Sequence, residues 1–207
     1  MSCECEVGIA VEAAKDGLYL SPGVAFGWIG TKGPYGLSGD TVKVFDPVME
    51  IAIALGADLE AMRLAKRVSI PKTDLMHKES RVIIEVDEIQ HFTSHRLMTF
   101  DSYPPDTKLE FDIDQYQELC LMHARRGDTA WAGKTTPTFG TRSRGKHRAF
   151  YDALRDLSIP AAGWPPVVRI PVPDRDVKKA WKSSRDRVLA AVELALQHRG
   201  PVPKWEG

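Results

Sequence analysis

A single α/β domain, with a small mixed central sheet flanked by helices, is the fold the chain predicts, and three observations carry it. The run Val82-Ile-Ile-Glu-Val-Asp87 alternates as a strand does, and a short extended segment and a charged turn precede it. Four stretches, beginning near Asp46, Asp112, Ala149 and Val177, carry apolar residues at helical spacing. Val167-Val-Arg-Ile170, bounded by prolines, supplies a second strand. With 207 residues, 43% of them apolar, the chain can bury one substantial core but not two.

In chain order, Cys3 to Lys15 is expected to be a short helix with Val7, Val11 and Ala14 on its stripe. Asp16 to Asp40 is rich in glycine, with Leu20, Val24, Phe26, Trp28 and Ile29 between, and predicts short strands joined by turns. Asp46-Pro47 starts a helix because aspartate accepts from free amides and proline fits the first helical position. That helix carries Val48, Ile51, Ala52 and Leu55 to Gly56, and Asp58 begins another. Arg67 to Ile70 and Asp74 to His77 are extended, and Lys78-Glu-Ser80 turns the chain into the acidic strand. Phe92 to Lys108 lacks a period and reads as a long loop. A helix follows from Asp112 to Arg126 with Ile113, Tyr116, Leu119, Cys120 and His123 on one stripe and Gly127 at its end. The basic approach Thr141 to Arg148 leads into a helix over Ala149 to Leu157. The closing helix spans Val177 to His198, capped by Asp174 or Asp176, with Val188, Ala191, Val192 and Ala195 inward. The organisation expected is an N-terminal extension packing on the core over 1–45, a core over 46–200 and a tail over 201–207.

Equal numbers of basic and acidic residues, 28 each, leave no global field to announce a polyanion partner, so local patches decide. Three cysteines without a framework spacing suit reduced thiols in a cytoplasm. A zinc site from Cys3, Cys5, Cys120 and a histidine lacks the paired spacing such sites use. No apolar run is long enough to span a membrane. Gly30-Thr-Lys-Gly33 lacks the order of a phosphate-binding loop.

Chemistry concentrates on the strand. Val82, Ile84 and Val86 share one face, while Ile83, Glu85 and Asp87 share the other. Two carboxylates one pleat apart repel, and a cation or divalent metal between them relieves the repulsion. An edge strand with a solvated acidic face is the alternative. His91 and His95 would share a metal only on a helix. Arg142, Arg144, Lys146 and Arg148 alternate with Ser, Gly and His, a pattern suited to phosphate contact.

The run Asp74 … Val82-Ile-Ile-Glu-Val-Asp87 … Gln90-His91 resembles the PD-(D/E)XK nuclease superfamily, and within it the very-short-patch-repair-type endonuclease branch. Gly163-Trp-Pro-Pro-Val-Val-Arg-Ile170 with the helix after it is similar to that branch's ending. The resemblance spans roughly Pro47 to His198 and implies a restriction-endonuclease-like fold and hydrolysis of DNA phosphodiester bonds with Mg2+ or Mn2+. It makes Asp74 and Glu85 metal ligands and Asp87 the ligand of a second ion or a water-orienting group. Glu50 becomes the additional acid, whose bland role is to favour its helix dipole, and Gln90 or His91 stands near the scissile phosphate. The implied partner is DNA, with strandedness open, a homodimer an open option and no membrane. The chain departs from the pattern at Asp87, where the superfamily has lysine, and at Glu88, where the branch has glycine. Gln90, Lys78, Lys146 and Arg148 are the candidate substitutes for the lysine. A non-cleaving nucleic-acid-binding or protein-interaction domain of the same fold is the alternative.

Overall fold

The computed structural model describes residues 3–66, 68–130 and 132–198. β1 (Ser21–Pro22), β2 (Leu75–His77), β3 (Val82–Glu88) and β4 (Val168–Val172) make one sheet in that spatial order. β1–β2 and β2–β3 pair antiparallel and β3–β4 parallel, so the sheet is mixed. Seven α-helices occur among the described residues: α1 (Cys3–Lys15), α2 (Phe45–Ala54), α3 (Leu59–Arg63), α4 (Ser94–Thr99), α5 (Ile113–Thr129), α6 (Arg144–Ala161) and α7 (Val177–Gln197). The chain is thus a single α/β domain, and none of the helices described is long and apolar enough to cross a membrane.

β3 lies between β2 and β4 and is buried along its whole length, so its acidic face is covered rather than solvated. Val82, Ile84 and Val86 pack with Cys5, Ile9 and Ala13 of α1 and with Trp181, Val188 and Val192 of α7. Ile83 faces the other way, into a cluster built from α2, α5 and α6. Full burial of each such side chain contributes roughly 1.5–3 kcal/mol, which is what holds β3 as the middle of a helix–sheet–helix sandwich.

Several local signals act as their chemistry dictates. Asp58 caps α3 by accepting the Ala61 amide at 2.8 Å, and Asp176 caps α7 through the Lys179 amide at 3.0 Å. Val48, Ile51, Ala52 and Leu55 are buried. The β2–β3 hairpin aligns Leu75 with Ile84 and His77 with Val82.

Elsewhere the structure corrects the sequence expectation. On α1 the buried stripe is Cys5, Ile9 and Ala13, while Val7 and Val11 are exposed. Gly8 sets this rotation, since a Cβ there would lie 3.0 Å from Val177 at the start of α7 and the two helices approach closely. The glycine-rich stretch yields only β1 and an isolated bridge at Ala25; the rest is turns and 3-10 turns over Gly33–Gly36 and Gly39–Val44. Gly33 and Gly39 hold φ of +53° and +55°, which an extended run cannot contain. The expected loop after Phe92 holds α4, capped by Thr93 accepting the Arg96 amide at 2.9 Å. Its buried face includes Arg96 and Thr99, so no apolar period advertises it. α5 runs through Gly127 to Thr129, and a Cβ at Gly127 would lie 2.2 Å from the Phe92 carbonyl oxygen. α6 starts at Arg144, so much of the basic approach forms its first turn. The expected segment at Arg67 begins on a residue outside those described, and the tail 201–207 lies outside them entirely.

Candidate functional site

Asp74, immediately before β2, is strapped to β3 from both sides. Its Oδ2 accepts the Val86 amide at 2.8 Å, and its own amide donates to Glu85 Oε1 at 3.3 Å. The two acids therefore sit side by side in a cleft of about 570 Å³. Burial pushes Glu85, only 2% exposed, up to about 8; Arg155 pulls back and Asp74 pushes further. Burial likewise raises Asp74 to about 6, against the pull of the Val86 amide and with Glu6 adding to the rise.

Arg155 of α6 is the cation beside this pair. Its Nε stands 3.5 Å from Glu85 Oε1, its Nη2 donates to the Lys72 carbonyl at 3.2 Å, and its Nη1 is 3.6 Å from Asp152 Oδ1. Both Arg155 Nε and Asp152 Oδ1 are buried without a hydrogen bond. Native interiors leave few groups in that condition.

Asp87, two residues along the same strand, has the opposite fate. Both its oxygens accept from Arg169 Nη1 at 3.0 Å, the Tyr116 hydroxyl donates to Oδ2 at 2.9 Å, and His91 Nδ1 is 3.3 Å from Oδ1. Arg169 continues to Asp156 at 2.8 Å, which also takes Arg96 at 2.5 Å and the Tyr103 hydroxyl at 2.8 Å. His91 Nδ1 reaches Asp152 Oδ2 at 2.8 Å. Burial alone would lower the His91 pKa, but Asp152 and Asp87 outweigh it and the net shift is upward. Burial would raise Asp152, yet His91 and Arg169 hold its carboxyl well below the usual carboxylate range. His91, shifted toward its charged form, faces three acids, Asp87, Asp152 and Asp156, together with Arg96 and Arg169, and the deep block balances when His91 is protonated.

The cleft gathers some of the residues that the sequence nominates. Asp74, Glu85, Gln90, His91, Arg144 and Arg148 line it. Gln90 Nε2 donates to Glu88 Oε2 at 3.1 Å. Asp87 does not line it, because Arg169 and Tyr116 draw its carboxylate into the interior. Glu50 is exposed on α2 and lines a separate shallow hollow with Asp46 and Asp101. Arg142 and Lys146 are also outside the cleft lining; Lys146 Nζ lies toward Gly56. His95 lies against Gly145, while His91 turns to Asp152, so the two histidines serve different neighbours. Cys5 and Cys120 are free thiols in the core clusters on opposite sides of the sheet, and the Cys3 side chain lies outside the described residues.

Sequence reasoning passes over Arg155, Asp152, Arg169, Lys72 and Glu6. Helical spacing was the available signal for the first: Arg144, Arg148, Tyr151 and Arg155 recur at intervals of four, three and four and share one face of α6. Arg169, a charge inside an apolar strand, also announced a buried ionic partner.

Among the described residues no three His, Cys, Asp or Glu side chains form a ready metal cage. A two-carboxylate platform at a cleft is a different thing, and it fits magnesium, which binds through one or two carboxylates and keeps water and substrate phosphate for its other positions. Asp74 and Glu85 offer such hard oxygen donors with Arg155 as the guanidinium within ion-pair reach of Glu85, and when both acids are ionised they outnumber it. No curated protein and no solved structure matches the chain. Residues 50–190, which include the pair, the deep block and all of α6, match the family described as "Family of unknown function (DUF7255)", and the chain belongs to that family.

Proposed function

We propose that the protein is a metal-dependent endonuclease that hydrolyses DNA phosphodiester bonds at the Asp74–Glu85 pair. The observation that carries this reading is the charge imbalance: two adjacent carboxylates, Glu85 buried and Asp74 half-buried, feel the one Arg155 guanidinium in a cleft whose α6 wall is cationic. Asp74 and Glu85 hold Mg2+ or Mn2+, which when bound supplies Lewis acidity toward phosphate oxygens and an attacking water. Arg155 stands where it stabilises charge developing on the phosphate, in place of the lysine that the resembled superfamily carries after its glutamate. Lys72, Arg144 and Arg148 hold flanking phosphates. Asp87 and His91 act from behind: Asp87 anchors Arg169, and His91 fixes Asp152, the neighbour of Arg155. Buried free thiols at Cys5 and Cys120 favour a reducing, cytoplasmic setting.

A second reading rests on Arg155 itself. Its guanidinium supplies charge to Glu85 without any metal, which suits a catalytically silent nucleic-acid-binding domain or protein-interaction domain. Incubation of the purified protein with plasmid and single-stranded DNA, in Mg2+, Mn2+ or EDTA, separates the two. The endonuclease reading expects metal-dependent cleavage that Glu85→Gln lowers by at least about 100-fold. Cleavage that survives this substitution removes the site, and binding without cleavage in either metal selects the second reading.

A further inference from the structure

The walls of the cleft say how a polynucleotide would lie in it. One side is formed by Thr31, Ser69, Pro71 and Lys72, tied by Thr31 Oγ1 accepting the Ser69 amide at 2.9 Å. The segment 135–138 also lines the cleft, closed on itself by the Thr136–Gly140 bridge and by Thr136 Oγ1 and Ser143 Oγ at 2.7 Å. α6 runs along the cleft and presents Arg144, Arg148, Tyr151 and Arg155 to it.

From Arg144 to Arg155 the helix advances about 16 Å, at about 1.5 Å per residue. Allowing for the radius of a water molecule at each wall, a channel of that length enclosing about 570 Å³ is roughly 9 Å across. The major groove of B-DNA alone is about 12 Å wide. A continuous duplex is therefore too wide to enter the cleft, whereas one extended strand is not. Arg144, Arg148 and Arg155 are spaced about 6 and 10 Å along the helix, a ladder of charge for successive phosphates. Between them the His147 and Tyr151 rings pack tilted at 48°, with centroids 4.6 Å apart. Burial and the Arg144 charge lower the His147 pKa to about 4, so it presents a neutral ring.

We infer that the substrate is a single nucleic-acid strand threaded along α6, with about three phosphates held by Arg144, Arg148 and Arg155 and a base against the His147–Tyr151 rings. The inference rests on the phosphodiester reading of the same cleft but makes its own claim, strandedness and footprint, which binding alone measures.

The experiment uses full-length Glu85→Gln protein in EDTA, a labelled oligo-dT of twelve nucleotides, and a blunt duplex of equal length, titrated across a KCl series by fluorescence anisotropy. The expected result is at least tenfold tighter binding of the single strand, with a log–log salt slope near −2, since each phosphate contact contributes about −0.7. Arg144→Glu in the same background weakens that binding about tenfold and makes the slope shallower by about 0.7, while Lys182→Gln, exposed on α7, leaves both unchanged. Duplex binding as tight as single-strand binding overturns the inference, as does absence of binding to either. Wild-type cleavage in Mn2+ tells the two ideas apart. Internal duplex cuts with the single strand untouched overturn threading and keep the nuclease; single-strand binding without any cleavage keeps threading and removes the nuclease.

Discussion

Glu85 and Asp87 stand two residues apart on β3, face the same side of the sheet, and are both about fully buried, yet their surroundings differ by one charge. Asp87 belongs to a block in which three acids meet three cations, with tyrosine hydroxyls from Tyr116 and Tyr103 filling remaining acceptor positions. Glu85 shares Arg155 with Asp74, and the pair stays under-neutralised. Burial penalises both acids equally in kind. What separates the two acids on this strand is the count of basic groups against acids: Arg96, Arg169 and His91 meet three acids in the interior, while Arg155 meets two at the cleft. A balanced buried network fixes geometry, while an unbalanced one recruits a proton or a metal.

The largest expected effect comes from breaking the balanced side. Asp87→Asn removes the charge opposite Arg169, 0% exposed, whose Nη1 is shared by both Asp87 oxygens, and removing one member of a buried ion pair costs about 3–5 kcal/mol. Urea unfolding at pH 7 measures it, and a loss below about 1 kcal/mol would mean that the block does not hold the fold. The same change at Glu85 behaves differently, because Glu85 is strained by its charge instead of being held by it.

That difference has a pH signature. Asp74 and Glu85 have folded pKa values of about 6 and about 8, raised by burial above their unfolded values. A raised carboxylate contributes stability that is fully present below the unfolded pKa, near 4, and lost as pH rises through the folded value. Stability should accordingly fall between about pH 5 and pH 8, on the order of a few kcal/mol. In the Asp74→Asn/Glu85→Gln double variant this slope should flatten. Parallel slopes for wild type and variant in denaturant titrations across that range would show that the pair is not the source.

A divalent ion should reverse the loss. Mg2+ or Mn2+ at one hundred times its dissociation constant stabilises by about 2.7 kcal/mol, and at one fixed ion concentration the gain is larger at pH 8 than at pH 6, because protons compete for the same oxygens. Thermal melts with and without MnCl2 at the two pH values test this. A shift of equal size in the double variant would place the ion somewhere else.

How much of this could be seen in the sequence follows from whether the signal is local. The hairpin, the caps at Asp58 and Asp176, and the alternation that sends Glu85 and Val86 to opposite faces are written within a few residues, and they were legible. So was the pairing of Asp74 with Glu85, because a hairpin of fixed register brings them together. α4 was not, since its inward residues include Arg96 and Thr99, whose burial makes sense only once Asp156 and Tyr103 are present. Asp87 looked like a site residue for the same reason: its neutralising partner is 82 positions away. Nothing near Asp87 in the chain says that Arg169 will arrive, and nothing near Glu85 says that only Arg155 will.

Glu50 sharpens the contrast from the weak end. It is acidic, it lies in the family-matched region, and it sits at a position that the superfamily resemblance assigns to the site, yet α2 presents it to solvent beside Asp46 and Asp101. It lies there outside the lining of the Asp74–Glu85 cleft. Glu50→Gln should shift stability by less than about 0.5 kcal/mol and leave metal-dependent cleavage within about twofold of wild type. The measurement that matters is made beside Glu85→Gln under the same conditions. If Glu50→Gln lowered cleavage about as much as Glu85→Gln does, charge deficit at the Asp74–Glu85 pair would not be what marks the reactive acids of this fold, and α2 would have to close over the cleft during turnover to bring its carboxylate in.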